Sequence, residues 1–152
     1  MKGNGKQQKV LYFKVVLVGR VAERHGKPYR IIAIPGALSL YNFAEVIVGS
    51  FDFEFDHPFG FYENLENWRQ SREGYELFQD IGEESQFKGV RKTAAEKVFT
   101  RIKDVMVFIF DYGDEWMFTV ELIRQERYPM IVERSGQPPP QYGMEYTPDG
   151  GE

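Results

Sequence analysis

Asp111-Tyr112-Gly113-Asp114-Glu115-Trp116 lies between two strongly apolar runs, Val105 to Phe110 and Trp116 to Ile123. Apolar runs joined by a turn-rich hexapeptide read as a β-hairpin. Glycine at the first central position of a two-residue loop supplies the positive φ of a type II′ turn, which places Gly113-Asp114 between Tyr112 and Glu115. The incoming run is apolar at every position, so it needs cover on both faces and predicts a central strand. On the outgoing run Trp116, Phe118, Val120 and Leu122 share one face by the two-residue period, while Met117, Thr119, Glu121 and Ile123 share a more mixed one. Aspartate and glycine are good turn residues in themselves, so Asp111 and Asp114 read first as turn chemistry and only then as ligand-binding groups.

Working outward, Lys9 to Gly19 alternates as a first strand with Leu11, Phe13, Val15 and Leu17 on one side. A polar loop, Arg20 to Pro28, leads to a second, antiparallel strand, Tyr29 to Ile34, closed by the Pro35-Gly36 turn signal. Ser39 is an N-cap, and Leu40, Phe43, Ala44 and Ile47 then fall on one stripe of an amphipathic helix ended by Gly49 as its left-handed C′ residue. Phe51 to Asp56 alternates phenylalanine and acid as an extended segment. Pro58 breaks it, and Phe59 to Glu63 forms a short strand. Glu63 to Lys92 is a polar connection containing a helical turn. Thr93 to Glu96 is a capping box opening a short helix whose Val98 and Ile102 face inward. The order β-β-α-(β)-α-β-β predicts an α+β fold, a mainly antiparallel sheet with a helix packed on one face. One domain is expected over residues 1–132, followed by a Pro/Gly-rich tail, 133–152, too poor in apolar residues to bury itself.

Composition narrows the classes further. The 152 residues suit a single core, and an aromatic content of 16% makes that core bulky or the surface groove-lined. Without cysteine there are no disulfides or thiolate metal sites, and two histidines, His25 and His57, are too few for a histidine-rich metal centre. No apolar run reaches the length of a membrane span, and Met1 to Lys9 lacks a signal-peptide core, so a cytoplasmic protein is expected. The net charge of −4 conceals alternating blocks: residues 1–30 carry eight Lys/Arg against one acid, 31–85 two against eleven, 86–103 six against one, and 104–152 three against ten. A basic face built from Lys2, Lys6, Lys9, Lys14, Arg20, Arg24 and Lys27 would be a nucleic-acid surface. The acidic pI and the lack of an RNA-stacking signature favour neutralisation between blocks instead.

These elements resemble the plasmid pRiA4b ORF-3-like family, also described as passenger proteins of insertion-sequence elements. The resemblance rests on an ordered set covering about residues 9 to 142: Arg30-Ile31-Ile32-Ala33-Ile34-Pro35-Gly36, a helix followed by Phe51 to His57, Asp111 to Trp116, Tyr128-Pro129 and Pro138-Pro139-Pro140. The chain departs from the pattern at Phe53 and Phe118, where relatives often have tryptophan and histidine, and it lacks the cysteines many carry near the prolines. The resemblance implies a fold and an association with mobile elements, and it supplies no activity.

No P-loop, dinucleotide fingerprint or nucleophile elbow is present. Asp56, His57, Asp111, Asp114 and Trp116 are the candidate binding surface, provided the two loops carrying them converge. The expected function is a non-enzymatic binding or adaptor domain with a protein or small-molecule partner, no cofactor, no metal and no membrane. The alternatives are a weak nucleic-acid-binding accessory protein and a hydrolase or transferase using the Asp/His loop residues. His57 reads as a structural hydrogen-bonding residue, since no nucleophile pairs with it in the sequence.

Overall fold

A computed structural model describes residues 7–129 and 133–141. Its strands are β1 (Gln7–Val18), β2 (Tyr29–Pro35), β3 (Phe59–Tyr62), β4 (Gly74–Glu76), β5 (Val105–Phe110) and β6 (Trp116–Pro129). They form one six-stranded sheet in the order β2-β1-β6-β5-β3-β4, every neighbouring pair antiparallel. The helices are α1 (Arg20–Arg24), α2 (Leu40–Ser50), α3 (Leu77–Asp80) and α4 (Ala95–Val98). The fold is α+β, as the apolar periods predict.

β5 is the central strand that its unbroken apolar run demands, and Met106 to Phe110 are all buried. Its two faces serve different cores. Met106, Phe108 and Phe110 enter the main core, with Leu11, Phe13 and Val15 of β1, Phe118, Val120 and Leu122 of β6, and the inner face of α2. Val107 and Ile109 meet Tyr62, Trp68, Phe87, Tyr112 and Met117 on the opposite face. The long connection after β3 supplies that second cover, so only part of the sheet is sandwiched.

α2 begins as expected, with the Ser39 hydroxyl accepting from Asn42 N–H at 3.1 Å, and it buries Leu40, Phe43, Ala44 and Ile47. Its end differs from the expectation. Gly49 stays helical, and Asp52 takes the left-handed position at φ 64°. The Asp52 and Phe53 amides then donate back to Gly49 O and Val48 O at 2.9 and 3.1 Å, a Schellman closure with an aspartate where glycine is commoner. This closure reverses the chain, so Phe51 to Asp56 is not a strand, although Phe51, Phe53 and Phe55 still turn inward and the acids outward.

Four further expectations are corrected. The polar loop after β1 holds the short helix α1. The connection 63–92 contains a 3-10 turn, Trp68–Gln70, as well as strand β4 and helix α3. β4 has only three residues, too few for a period to show. The capping box does not form: Ala94 is the N-cap of α4, and the Thr93 hydroxyl donates to Gly89 O at 2.8 Å. Val98 packs on the main core, whereas Ile102 is 46% exposed on the turn into β5.

The central hairpin is correct in its strands and wrong in its turn. Phe110 pairs with Trp116, leaving a five-residue loop, Asp111 to Glu115. Its left-handed residues are Asp111 (φ 69°) and Glu115 (φ 54°), and Gly113 is not among them. β6 continues six residues past Ile123 along β1, with a register shift at Tyr12/Phe13 that leaves Ile123 without a partner, as in a β-bulge. Residues 133–141 are exposed and outside any helix or strand. Gly150-Gly151 and the rest of the expected tail lie outside the described residues.

Candidate functional site

The chain emerging from α2 and the β5–β6 loop meet at one end of the sheet. Asp111 N–H donates to Pro58 O at 3.0 Å, which fixes the two segments together. Asp56, His57, Asp111, Asp114 and Trp116 all line one open cleft of about 310 Å³, with Phe53, Glu54 and Phe110. The sequence could nominate these residues, but only folding could bring them together.

Asp111 organises the floor. Its Oδ1 accepts from Gly113 N–H at 3.0 Å and Asp114 N–H at 3.3 Å, an aspartate-capped turn that a left-handed Asp111 presents naturally. Its Oδ2 lies 3.6 Å from His57 Nε2. On the other side of the ring, His57 Nδ1–H donates to Asp56 Oδ1 at 2.6 Å. The imidazole stands edge-on to Phe110 at 5.9 Å. Trp116 forms a half-buried wall, its ring 4.7 Å from that of Phe53.

The Asp56 hydrogen bond, reinforced by the charges of Asp111 and Asp114, raises the His57 pKa above its ordinary 6.5 despite some loss of hydration. Carboxylates face both ring nitrogens, so protonation of the ring is easier here than in a free imidazole. The polar groups lining the cleft are the carboxylates of Glu54, Asp56, Asp111 and Asp114 and the His57 imidazole. Among the described residues, no three His, Cys, Asp or Glu groups are placed to hold a metal ion. Neither Asp114 nor Glu54 forms an ion pair among the described residues.

Behind the loop lies a polar network that sequence reasoning missed. Tyr62 O–H donates to Glu76 Oε2 at 2.5 Å and lies 2.6 Å from the Tyr112 hydroxyl, while the Ser85 hydroxyl donates to Glu76 Oε1 at 2.7 Å. Burial raises the pKa values of both phenols above the usual tyrosine range. Tyr112 is thus anchored beneath the sheet while its neighbour Asp111 faces the cleft. The one sequence signal was Gly60 inside an aromatic strand: a β-carbon there would come within 2.6 Å of the Tyr62 and Tyr112 hydroxyls.

The charge blocks pair less than expected. The Lys/Arg–carboxylate bridges among the described residues are Arg69–Glu115, Arg101–Asp104 and Arg124–Glu126, and none uses a cation of residues 7–30. Lys14 nevertheless sits opposite Glu121 in the β1–β6 register. Lys2 and Lys6 lie outside the described residues. No helix among the described residues is long and apolar enough to cross a membrane.

Comparison with known proteins agrees with this architecture. The family described as "Plasmid pRiA4b ORF-3-like protein" matches residues 10–143. No curated protein matches the chain. Among solved structures, the protein of unknown function MM3350 from Methanosarcina mazei Go1 is similar in fold, with a TM-score of 0.61 and 19% identity over 85% of this chain. The chain spans 66% of that protein's length, just under two thirds.

Proposed function

The chain belongs to the plasmid pRiA4b ORF-3-like family, and from that premise we propose that it is a non-enzymatic binding domain whose ligand presents a cationic group to the cleft between Asp56-His57 and Asp111-Asp114. The observation that carries this reading is the lining itself. Glu54, Asp56, Asp111 and Asp114 supply four carboxylates against one imidazole, and Phe53, Phe110 and Trp116 supply aromatic surface beside them. A guanidinium or ammonium gains from both, since ring faces attract cations and carboxylates pair with them. The chain already places arginines over its own rings, Arg30 on Phe51 and Arg69 on Trp68, at 4.6 and 4.5 Å. A phosphate backbone would be repelled by the same lining, so the nucleic-acid alternative would have to use a different face.

The test is an amide NMR titration of the full chain with N-acetylarginine methylamide. Residues 53–57 and 110–116 should shift together. Asp114→Asn should weaken the interaction about two- to fivefold, the effect of one exposed ion pair. It should do so without unfolding the protein, because the loop uses the Asp114 backbone amide and not its side chain. Shifts confined to β1 and α1, or an affinity unchanged by Asp114→Asn, would overturn the proposal.

A further inference from the structure

Asp56 and His57 are a ridge as well as a wall. On their other side opens a second cleft of about 460 Å³, whose apolar lining includes Tyr41, Phe55, Phe59, Leu77, Phe78 and Ile81. Its charged lining besides the ridge is Glu83, so neither cleft is lined by a lysine or arginine. Resting on the cationic-ligand reading above, we infer that the two clefts form one bipartite groove for a short segment of a partner protein. An apolar side chain of that segment seats against α3, and an arginine or lysine one to three residues away enters the acidic half.

Three observations converge on this partner. The first is continuity: the two clefts share the Asp56-His57 ridge, and the side beyond it is the larger and the more apolar. The second is that the apolar side is preformed. Ile81 is 46% exposed and Leu77 and Phe78 are half-buried, yet the segment carrying them is tied down from behind. Gln79 Nε2 donates to Phe87 O at 2.7 Å, and the Asp80 carboxylate accepts from Val90 and Arg91 N–H at 2.6 and 3.2 Å. The groove therefore needs little ordering when it binds, which favours recognition of a flexible segment. The third is charge. Five carboxylates, Glu54, Asp56, Glu83, Asp111 and Asp114, surround the two halves against the single His57 imidazole, so complementarity selects a basic segment over an acidic one or a nucleic acid.

The experiment compares probes on the isotope-labelled full chain: acetyl-Gly-Gly-Arg-amide, acetyl-Leu-Gly-Arg-amide and spermidine. Burying a leucine side chain should make the second bind about tenfold or more tightly than the first. Its shifts should extend from residues 110–116 to 77–81. Ile81→Gln, an exposed position, should remove the gain from leucine while leaving the Gly-Gly-Arg affinity unchanged. Equal affinity for the two peptides, with shifts confined to 53–57 and 110–116, would overturn the bipartite groove and leave the cationic-ligand reading standing. Spermidine binding as tightly as the leucine peptide would also overturn it, in favour of a small polycation. If no arginine probe shifts the acidic half, both readings fall.

Discussion

Replacing Asp111 separates the two roles that the structure assigns to it. The residue is left-handed at φ 69°, and its carboxylate, only 14% exposed, caps the amides of Gly113 and Asp114. Alanine in that conformation costs about 1–2 kcal/mol, a penalty that aspartate reduces through its local hydrogen bonds. Losing the charged acceptor costs a further ~1 kcal/mol for the pair, the low end for such bonds because both amides can turn to water. Asp111→Ala should therefore lose about 2–3 kcal/mol in urea unfolding at neutral pH. Asp111→Gly relieves the backbone penalty and keeps only the lost bonds, so it should lose about 1 kcal/mol. Asp111→Asn retains an acceptor and tolerates the left-handed region, so it should lose less than about 1 kcal/mol. The order alanine, glycine, asparagine is the content of the prediction. Glycine as damaging as alanine would mean the backbone is not strained there, and asparagine as damaging as alanine would mean the loop depends on charge.

His57 titrates above its ordinary value of 6.5 because of Asp56, Asp111 and Asp114. Its stabilising contribution is complete below the unfolded value and disappears as pH rises through the folded one; a stability–pH profile should decline over that interval, and His57→Gln should flatten it. Tyr62→Phe leaves the Glu76 carboxylate and the Tyr112 hydroxyl each one partner short. A loss of about 1–3 kcal/mol is expected in chemical denaturation, and no loss would mean that water replaces the phenol without cost. Asp52→Gly suits the left-handed closure of α2 at φ 64° better than aspartate does. It should change stability by no more than about 1 kcal/mol, whereas Asp52→Val should destabilise by more, as thermal unfolding would show.

The strands were legible because burial imposes a period. Leu11, Phe13, Val15 and Leu17 face the core, Phe118, Val120 and Leu122 join them, and the unbroken run Val105 to Phe110 is a two-faced interior strand. Ser39 was legible because an N-cap acts within one turn. The errors share a different physics. Gly49 and Gly113 looked like left-handed positions by composition, yet Asp52, Asp111 and Glu115 take those conformations. Aspartate can do so where its side chain or a Schellman closure supplies compensating bonds, and the sequence does not show which residue the tertiary contacts will force. The Thr93–Glu96 pattern failed because Ala95 and Glu96 donate their amides to Leu38 and Gly36 carbonyls, so the capping bonds are not needed. The candidate site residues could be nominated by type, but their convergence depends on the Asp111–Pro58 hydrogen bond across 53 positions of sequence. The Tyr62–Glu76–Tyr112 network and the cleft beside α3 were invisible, because both arise where the aperiodic connection 63–92 packs against the far side or end of the sheet.

Recognition of positive charge is the property proposed for the Asp56-His57 and Asp111-Asp114 cleft. The most direct test is one pair of amide NMR titrations on the same sample, with N-acetylarginine methylamide and with its uncharged isostere N-acetylcitrulline methylamide. Concerted shifts are expected at residues 53–57 and 110–116 with the arginine compound, diminished by added salt, with little response to citrulline. Equal responses to the two compounds, or shifts that avoid both loops, would contradict it.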